Sequence, residues 1–300
     1  MTIRSEFVPT LAVLGAVFLW GSSFPAMKLV VAVFDPMTVM WARMAVAMLV
    51  LVPLRRRLDF SGYRKGDWKR LLLMALFLPC LYFLLESNAL ILTTSSQAGI
   101  VAASLPLMVA LGAWLMLGER MGSAAVAGLV AALGCVVWLT LVGAPQENAP
   151  NPFLGNGLEF LAMVCGSGYM LSARSLSGRY SPLTLTAVQM VAGFLFFLPG
   201  ITGLDPLWTP DPTASLWPAI LSLAWLGGVV SLGAFGLFNY GVGRMEAGKA
   251  SAFINLVPVV AVVLGWAWLG ESLNGVQCLA AMGVLLGVAL TQVAGRRAAA

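Results

Sequence analysis

Between Val8 and Val33 the only charged residue is Lys28. A run of that length can cross a hydrocarbon core of about 30 Å as a helix, and it is too long for the apolar part of a cleavable leader. It predicts a membrane span. Similar stretches follow, placing expected spans near 8–33, 36–54, 69–89, 94–117, 121–143, 153–175, 182–201, 215–241, 248–269 and 273–294. The connections are short and rich in turn formers, such as FDPM and LGESLNG, and leave no room for a soluble domain. Only 10% of the 300 residues are charged and 60% are hydrophobic, against about 25% charged in soluble domains, so lipid has to be the main solvent. The expected class is all-α and integral to a membrane.

The net charge of +5 is explained by its distribution. Arg55, Arg56, Arg57, Arg64, Lys65, Lys69 and Arg70 share one connection, and Arg4, Arg120, Arg174, Arg179, Arg244, Lys249, Arg296 and Arg297 fall on the same expected side. The other side holds Asp35, Glu147, Asp205, Asp211 and Glu271, with no Lys or Arg. Basic loops stay in the cytoplasm, so ten spans with both termini cytoplasmic are expected in a plasma (cell inner) membrane. Orientation therefore accounts for the basic balance without nucleic acid.

The chain also repeats itself. SSQAGIVAASLPLMVALGAWLMLGERM (95–121) aligns with AGKASAFINLVPVVAVVLGWAWLGESL (247–273) at an offset of 152, matching Ala98, Pro106, Trp114, Gly118 and Glu119 to Ala250, Pro258, Trp266, Gly270 and Glu271. Gly21–Ser22 likewise matches Gly166–Ser167, and Pro36 and Pro53 match Pro182 and Pro199. Five spans repeat five spans. Because five is odd, the second copy, 153–297, should lie upside down relative to the first, 1–143. Inverted repeats of this kind belong to secondary transporters, in which exchanging the conformations of the halves exchanges the open side. The repeat also disposes of a deceptive motif. Gly243, Gly248 and Lys249 have phosphate-loop spacing, but Ala250 stands where a Ser or Thr would hold Mg²⁺, and no strand precedes the loop.

Histidine is absent, which removes the commonest general base and metal ligand. The cysteines Cys80, Cys135, Cys165 and Cys278 sit singly in apolar runs and read as small apolar residues. No metal or cofactor is expected. Candidate binding residues follow from what is costly or unusual within a span. Gly21–Pro25 and Gly166–Gly168 are expected to interrupt spans 1 and 6 at matching positions, either as a binding site or as close packing by small residues. Trp20, Phe24 and Tyr169 flank these positions, with Trp41 and Tyr82 on neighbouring spans. Such rings could line a cavity for an apolar side chain, or simply pack. Lys28, Arg43 and Glu86 are ionisable groups within spans and need water or a partner. Lys28 can snorkel, whereas Arg43 and Glu86 together suit a zwitterion. Pro106 and Pro258 sit mid-span, as fixed bends or as gate hinges. Gln97, with Ser95 and Ser96, and Asn239 and Asn255 are expected to line opposite gates. Glu119 and Glu271 are expected to end helices. The GxxxG at Gly283 and Gly287 packs spans 5 and 10 together or forms a dimer seam.

WGSSFPAMKL (20–29), WARMAVAMLVLVPLRRR (41–57) and the paired segments at 103–120 and 254–272 resemble the EamA family of the drug/metabolite transporter superfamily over nearly the whole chain. Length and loop pattern are similar to its bacterial aromatic amino acid exporters of the YddG type. The resemblance implies ten helices in two inverted five-helix repeats, and export of small metabolites by alternating access, amino acids including aromatic ones foremost. Another metabolite of the superfamily (a drug, carboxylate or sugar derivative) is the alternative. A membrane enzyme is remote, since the acids are scattered. The expected partners are a small-molecule substrate and the lipid bilayer, for a monomer or weak homodimer.

Overall fold

The computed structural model describes residues 7–118, 122–205, 216–242 and 253–299, except the side chains of Leu117, Phe235, Asn239, Val242 and 292–299. The Gly243–Lys249 turn and Glu119 lie outside these residues, as does the Asn239 side chain. Within them every regular element is helical. The first half runs α1 (Phe7–Val31), α2 (Pro36–Leu51) with a 3₁₀ extension (Val52–Arg57), α3 (Asp67–Ala75), a π-type segment (Leu76–Leu81), α4 (Tyr82–Leu92), α5 (Ser95–Ala102), α6 (Leu105–Leu117) and α7 (Ser123–Leu141). The second runs α8 (Pro152–Leu176), α9 (Pro182–Phe196) with a 3₁₀ extension (Leu198–Gly203), α10 (Trp217–Ala224), a second π-type segment (Trp225–Ala234), α11 (Phe235–Val242), α12 (Val257–Leu269) and α13 (Gly275–Ala299).

The element bounds repeat as the residues do. A shift of 145 carries both ends of α1 onto those of α8, and a shift of 152 carries both ends of α6 onto those of α12. The local causes repeat too. Asp35 and Ser181 cap α2 and α9, each accepting from a backbone N–H three residues on, and each is followed by a proline at the first helical turn. Gly118 and Gly270 end α6 and α12 at φ +68° and +64°, a left-handed conformation that glycine adopts without a Cβ clash.

Six helical stretches are long and apolar enough to cross a membrane: Phe7–Val31, Pro36–Arg57, Asp67–Leu92, Ser95–Met116, Ser123–Leu141 and Trp217–Phe238. The other expected spans fall on α8, whose apolar run holds Asn156 and Glu159, and on the shorter apolar helices Pro182–Phe196, Val257–Leu269 and Gly275–Thr291. Large apolar side chains face outward along these helices, among them Leu49, Leu115, Met116, Leu141, Trp217, Trp266 and Leu286. Water would not tolerate so broad an apolar surface, but lipid does.

The helix interruptions lie elsewhere than expected. α1 runs unbroken through Gly21 and Pro25, and α8 runs unbroken through Gly166 and Gly168. Those glycines serve close approach. A Cβ on Gly21 would meet Val260 at 2.5 Å, and one on Gly166 would meet Tyr82 at 3.2 Å. The true interruptions are the π-type segments and the turns before α6 and α12, and they too recur at 152: Leu76–Leu81 shifts into Trp225–Ala234, and Ala103–Ser104 shifts onto Asn255–Leu256. Pro106 and Pro258 therefore do not kink a continuous helix; each sits in the first turn of a new one, where its missing N–H costs nothing.

Packing crosses between the halves. α1 packs mainly on α10, the second π-type segment, α11 and α12, whereas α8 packs on α3, α4, α5 and α6. The fifth helices pair with each other, α7 on α13. There Gly287 lies against Ala132, Gly283 against Cys135 and Gly128 against Thr291, so the GxxxG face is spent within the chain. Gly287→Val would drive a side chain into backbone 2.7 Å away. It should destabilise the fold by about 1–3 kcal/mol, read as a lower melting temperature in detergent with unchanged oligomeric state.

Candidate functional site

Where α1, α2, α4, α8 and the four interruptions converge, they enclose a cavity of about 180 Å³. At one probe sphere of about 10–15 Å³ per water, that is room for roughly a dozen water-sized units, the scale of a free amino acid. Helix α1 supplies Trp20, Ser23 and Phe24, one turn apart, because Gly21 lets α12 close in behind them. The Trp20 ring rests on Phe238 of α11 at 5.1 Å between centroids. Helix α8 adds Met163, Gly166, Tyr169 and Met170. The turns bring Leu78, Ala103, Pro106, Asn255 and Pro258 to the wall.

The charged groups lie together in this apolar surround. Arg43 on α2 is 5% exposed. Its guanidinium carbon sits 4.2 Å from the centroid of the Phe83 ring, and its Nε donates to Ser231 Oγ at 3.2 Å. The face of an aromatic ring attracts a cation, and a planar guanidinium suits that stacking. Ser231 in turn donates to the Leu226 carbonyl at 2.8 Å, tying Arg43 to the second π-type segment. Glu86 on α4 is 6% exposed, accepts from Tyr82 Oη at 3.2 Å and lines the same cavity as Arg43. A few polar groups fixed within apolar walls are the makings of an oriented ligand site.

Trp20, Phe24, Arg43, Tyr82, Glu86 and Tyr169 therefore meet on one cavity, together with Pro106, Asn255 and Pro258. Two expected residues do not join them. Trp41 lies off the cavity, half-buried with its ring on Phe194 at 5.8 Å, while Arg43, two positions on, faces the cavity. Gln97 lies beyond one end of the cavity, where its side-chain oxygen accepts from Asn156 Nδ2 at 3.0 Å in a buried cluster with Thr93 and Thr140. Phe83, Phe238, Met163 and Ser231 were missed, being ordinary span residues in sequence. Glu159 was also missed, although an acid inside the 153–175 span is a signal that sequence reading could have used.

At this end of the bundle a carboxylate joins the two halves. Glu271, in the hairpin after α12, accepts from the backbone N–H of Ser95 (2.7 Å) and Ser96 (2.8 Å) and from both hydroxyls (2.9 and 2.6 Å). It thus caps the N-terminus of α5, a helix of the other half, where the helix dipole favours negative charge. Gly265 leaves the room, since a Cβ there would lie 2.6 Å from Glu271 Oε2. The Lys28 ammonium donates to the carbonyls of Leu90 and Thr93 and, in the exposed connection before α8, of Asn148. At the far end of the bundle Asp67 accepts from Arg179 and from Tyr180 Oη, again joining the halves.

A helical bundle with an apolar exterior, and with an amino-acid-sized polar-and-aromatic cavity inside, is an integral membrane protein built to hold a small molecule. The chain belongs to the EamA-like transporter family, whose description matches residues 9–141 and again 153–293. It is a membrane transporter and not an enzyme. Similar relatives include the uncharacterized transporter YetK of Bacillus subtilis, 26% identical over 97% of this chain and 88% of that one. Another is a probable terminal-alkyne amino-acid exporter of Streptantibioticus cattleyicolor, 26% identical over 93% and 90%. A solved crystal structure, 20% identical, shares the fold over the full length of both chains with a TM-score of 0.59.

Glu271→Gln should leave at least one of the four Ser95 and Ser96 donors without its carboxylate acceptor. We expect a loss of about 1–3 kcal/mol of stability, read by thermal unfolding in detergent. Glu147→Gln, in an exposed connection, should move the transition by less than about 0.5 kcal/mol.

Proposed function

We propose that the protein is a secondary transporter that exports small metabolites, amino acids including aromatic ones foremost, across the plasma (inner) membrane by alternating access. The observation that carries this reading is that Arg43 and Glu86 both line one aromatic cavity. A zwitterion lays its carboxylate on the guanidinium and its ammonium on Glu86, with charge-assisted hydrogen bonds that outweigh neutral ones. Its side chain then lies against Trp20, Phe24 and Tyr169. Support also comes from the relative described as a probable terminal-alkyne amino-acid exporter.

In this reading the chain crosses the membrane ten times, as two inverted five-helix repeats (1–143 and 153–297) with both termini cytoplasmic. The recurring element bounds, the doubly matched family description and the sidedness of the basic residues support it. The paired interruptions serve as hinges. The Glu271 cap then closes the external side, and breaking it while closing the cytoplasmic side carries the bound molecule across. Pro106, Pro258 and Asn255 move with those hinges, and Gln97 and Asn239 belong to the gates at either end. A cysteine in the 144–152 connection should react with an impermeant thiol reagent from outside intact cells, and one at 60–64 should not. The reverse labelling would defeat the ten-span arrangement.

The substrate test is counterflow in proteoliposomes, with tryptophan, threonine, carboxylates and sugar derivatives as competitors. Trp20→Ala should weaken tryptophan transport roughly 2- to 12-fold, the equivalent of about 0.5–1.5 kcal/mol of aromatic pairing, and should leave threonine nearly unchanged. Equal effects on both would remove Trp20 from the site, and competition by carboxylates or sugar derivatives alone would move the protein to another substrate class.

A further inference from the structure

We propose that Glu159 is a proton-binding site that couples transport to proton movement, one proton being exchanged for each substrate. The proposal deepens the transport reading and rests on it for the coupling, though not for the proton itself.

Glu159 is fully buried on α8, and neither carboxylate oxygen has a hydrogen-bond partner. An ionised carboxylate in that setting would carry a desolvation cost of several kcal/mol with nothing to offset it, so the side chain has to be a neutral acid. A resident cation would need several oxygen ligands, and no group of three or more ligating side chains occurs among the described residues.

The packing of α4 against α8 places this acid beside the cavity's own carboxylate. Gly155 abuts Ala89 and Thr93, while Gly166 abuts Tyr82, so the two helices run antiparallel. Glu159 lies between those glycines on α8, and Glu86 lies between Tyr82 and Ala89 on α4. They stand at the same level of two packed helices. The other titratable or charged groups on the elements packed against α8 are Cys80, Cys135 and, at the far end, Asp67, Lys69 and Arg70; α8 itself adds Cys165, Tyr169 and Arg174. Helices α5 and α6 contribute none. Arg43, on α2, faces the same cavity as Glu86 and Tyr82.

Coupling follows from like-charge repulsion. While Glu86 is negative, a second negative charge beside it is disfavoured, and Glu159 keeps its proton. A substrate ammonium on Glu86 cancels that charge. As α8 moves off α4, water that entered the cavity with the substrate reaches Glu159; the O–H bond breaks, the proton passes to that water, and a hydrated carboxylate is left. After the substrate has left on the other side, a proton from that side re-forms the O–H bond. Nothing is oxidised or reduced, and one proton crosses against one substrate.

Infrared difference spectroscopy reads the proton directly, through the carbonyl stretch of a neutral carboxyl. At neutral pH the full chain should show a neutral-carboxyl band that Glu159→Gln removes and Glu86→Gln keeps. No such band overturns the proposal, whatever molecule is carried. Glutamine copies the shape of the neutral acid; should that variant fail to fold, carboxyl-labelled glutamate in the Glu86→Gln chain must still give the shifted band, and its absence is equally fatal. In proteoliposomes, tryptophan-for-tryptophan exchange needs no net proton movement, whereas uphill uptake into acid-loaded vesicles does. A one-unit pH difference coupled to one proton supports about tenfold accumulation. The native chain should approach this, while Glu159→Gln should exchange tryptophan yet fail to accumulate it. A variant that accumulates like the native chain overturns the proposal. A native chain with the band but no amino-acid exchange supports the proton site and defeats the amino-acid reading instead.

Discussion

A carbonyl or N–H that leaves a helix inside an apolar bundle has no water to turn to and must find a partner within the chain. The site depends on how that requirement is met. The Leu78 carbonyl, freed where the first π-type segment departs from helical geometry, accepts from Gln189 Nε2 at 2.8 Å. The Leu226 carbonyl, at the corresponding irregularity of the second half, accepts from Ser231, which also receives Arg43. The N–H groups opening α5 are taken by Glu271, and the carbonyls ending α4 by Lys28. The side chains that satisfy the backbone at the π-type segments are thus among those that shape the cavity or fix its Arg43.

The exchange of partners between the halves has a related cause. Each leading helix, α1 or α8, carries small residues where it meets the irregular segments of the opposite half: Gly21 against α12, and Gly166 and Gly168 against Tyr82 and Phe77. Close approach there lets van der Waals contact replace the hydrophobic drive that lipid cannot supply. Neither half encloses the cavity alone. Trp20 and Arg43 come from the first, Tyr169 and Ser231 from the second, and the EamA-like transporter family description likewise matches both halves.

Much of this was legible in the residues. Apolar run length marked the helices, and the offset of 152 anticipated helix ends that agree to the residue at α6 and α12. Cost of burial found Arg43 and Glu86, and the small residues beside them found Trp20, Phe24 and Tyr169. What failed was the inference from glycine to break. Glycine marks both weak helix and close approach, and in a membrane the second dominates, so Gly21 and Gly166 proved to be contact points in unbroken helices. The real interruptions are set by tertiary partners such as Gln189 and Ser231, which carry no local signature. Trp41 failed for a simpler reason: positions two apart on a helix face different ways, so Arg43 meets the cavity and Trp41 meets Phe194.

The seam between α7 and α13 bears on how the protein is made. The small-residue faces of these helices pack on each other, yet Leu141 at the end of α7 and Gly275 at the start of α13 are separated by most of the second half. At about 5–20 residues per second, α7 waits on the order of ten seconds in the bilayer before its partner is synthesised. α1 likewise waits for α10 to α12. Biogenesis cannot proceed one finished half at a time; it must hold a set of inserted, incompletely packed helices until the last one arrives. The tight small-residue seam, rather than any early contact, then locks the bundle.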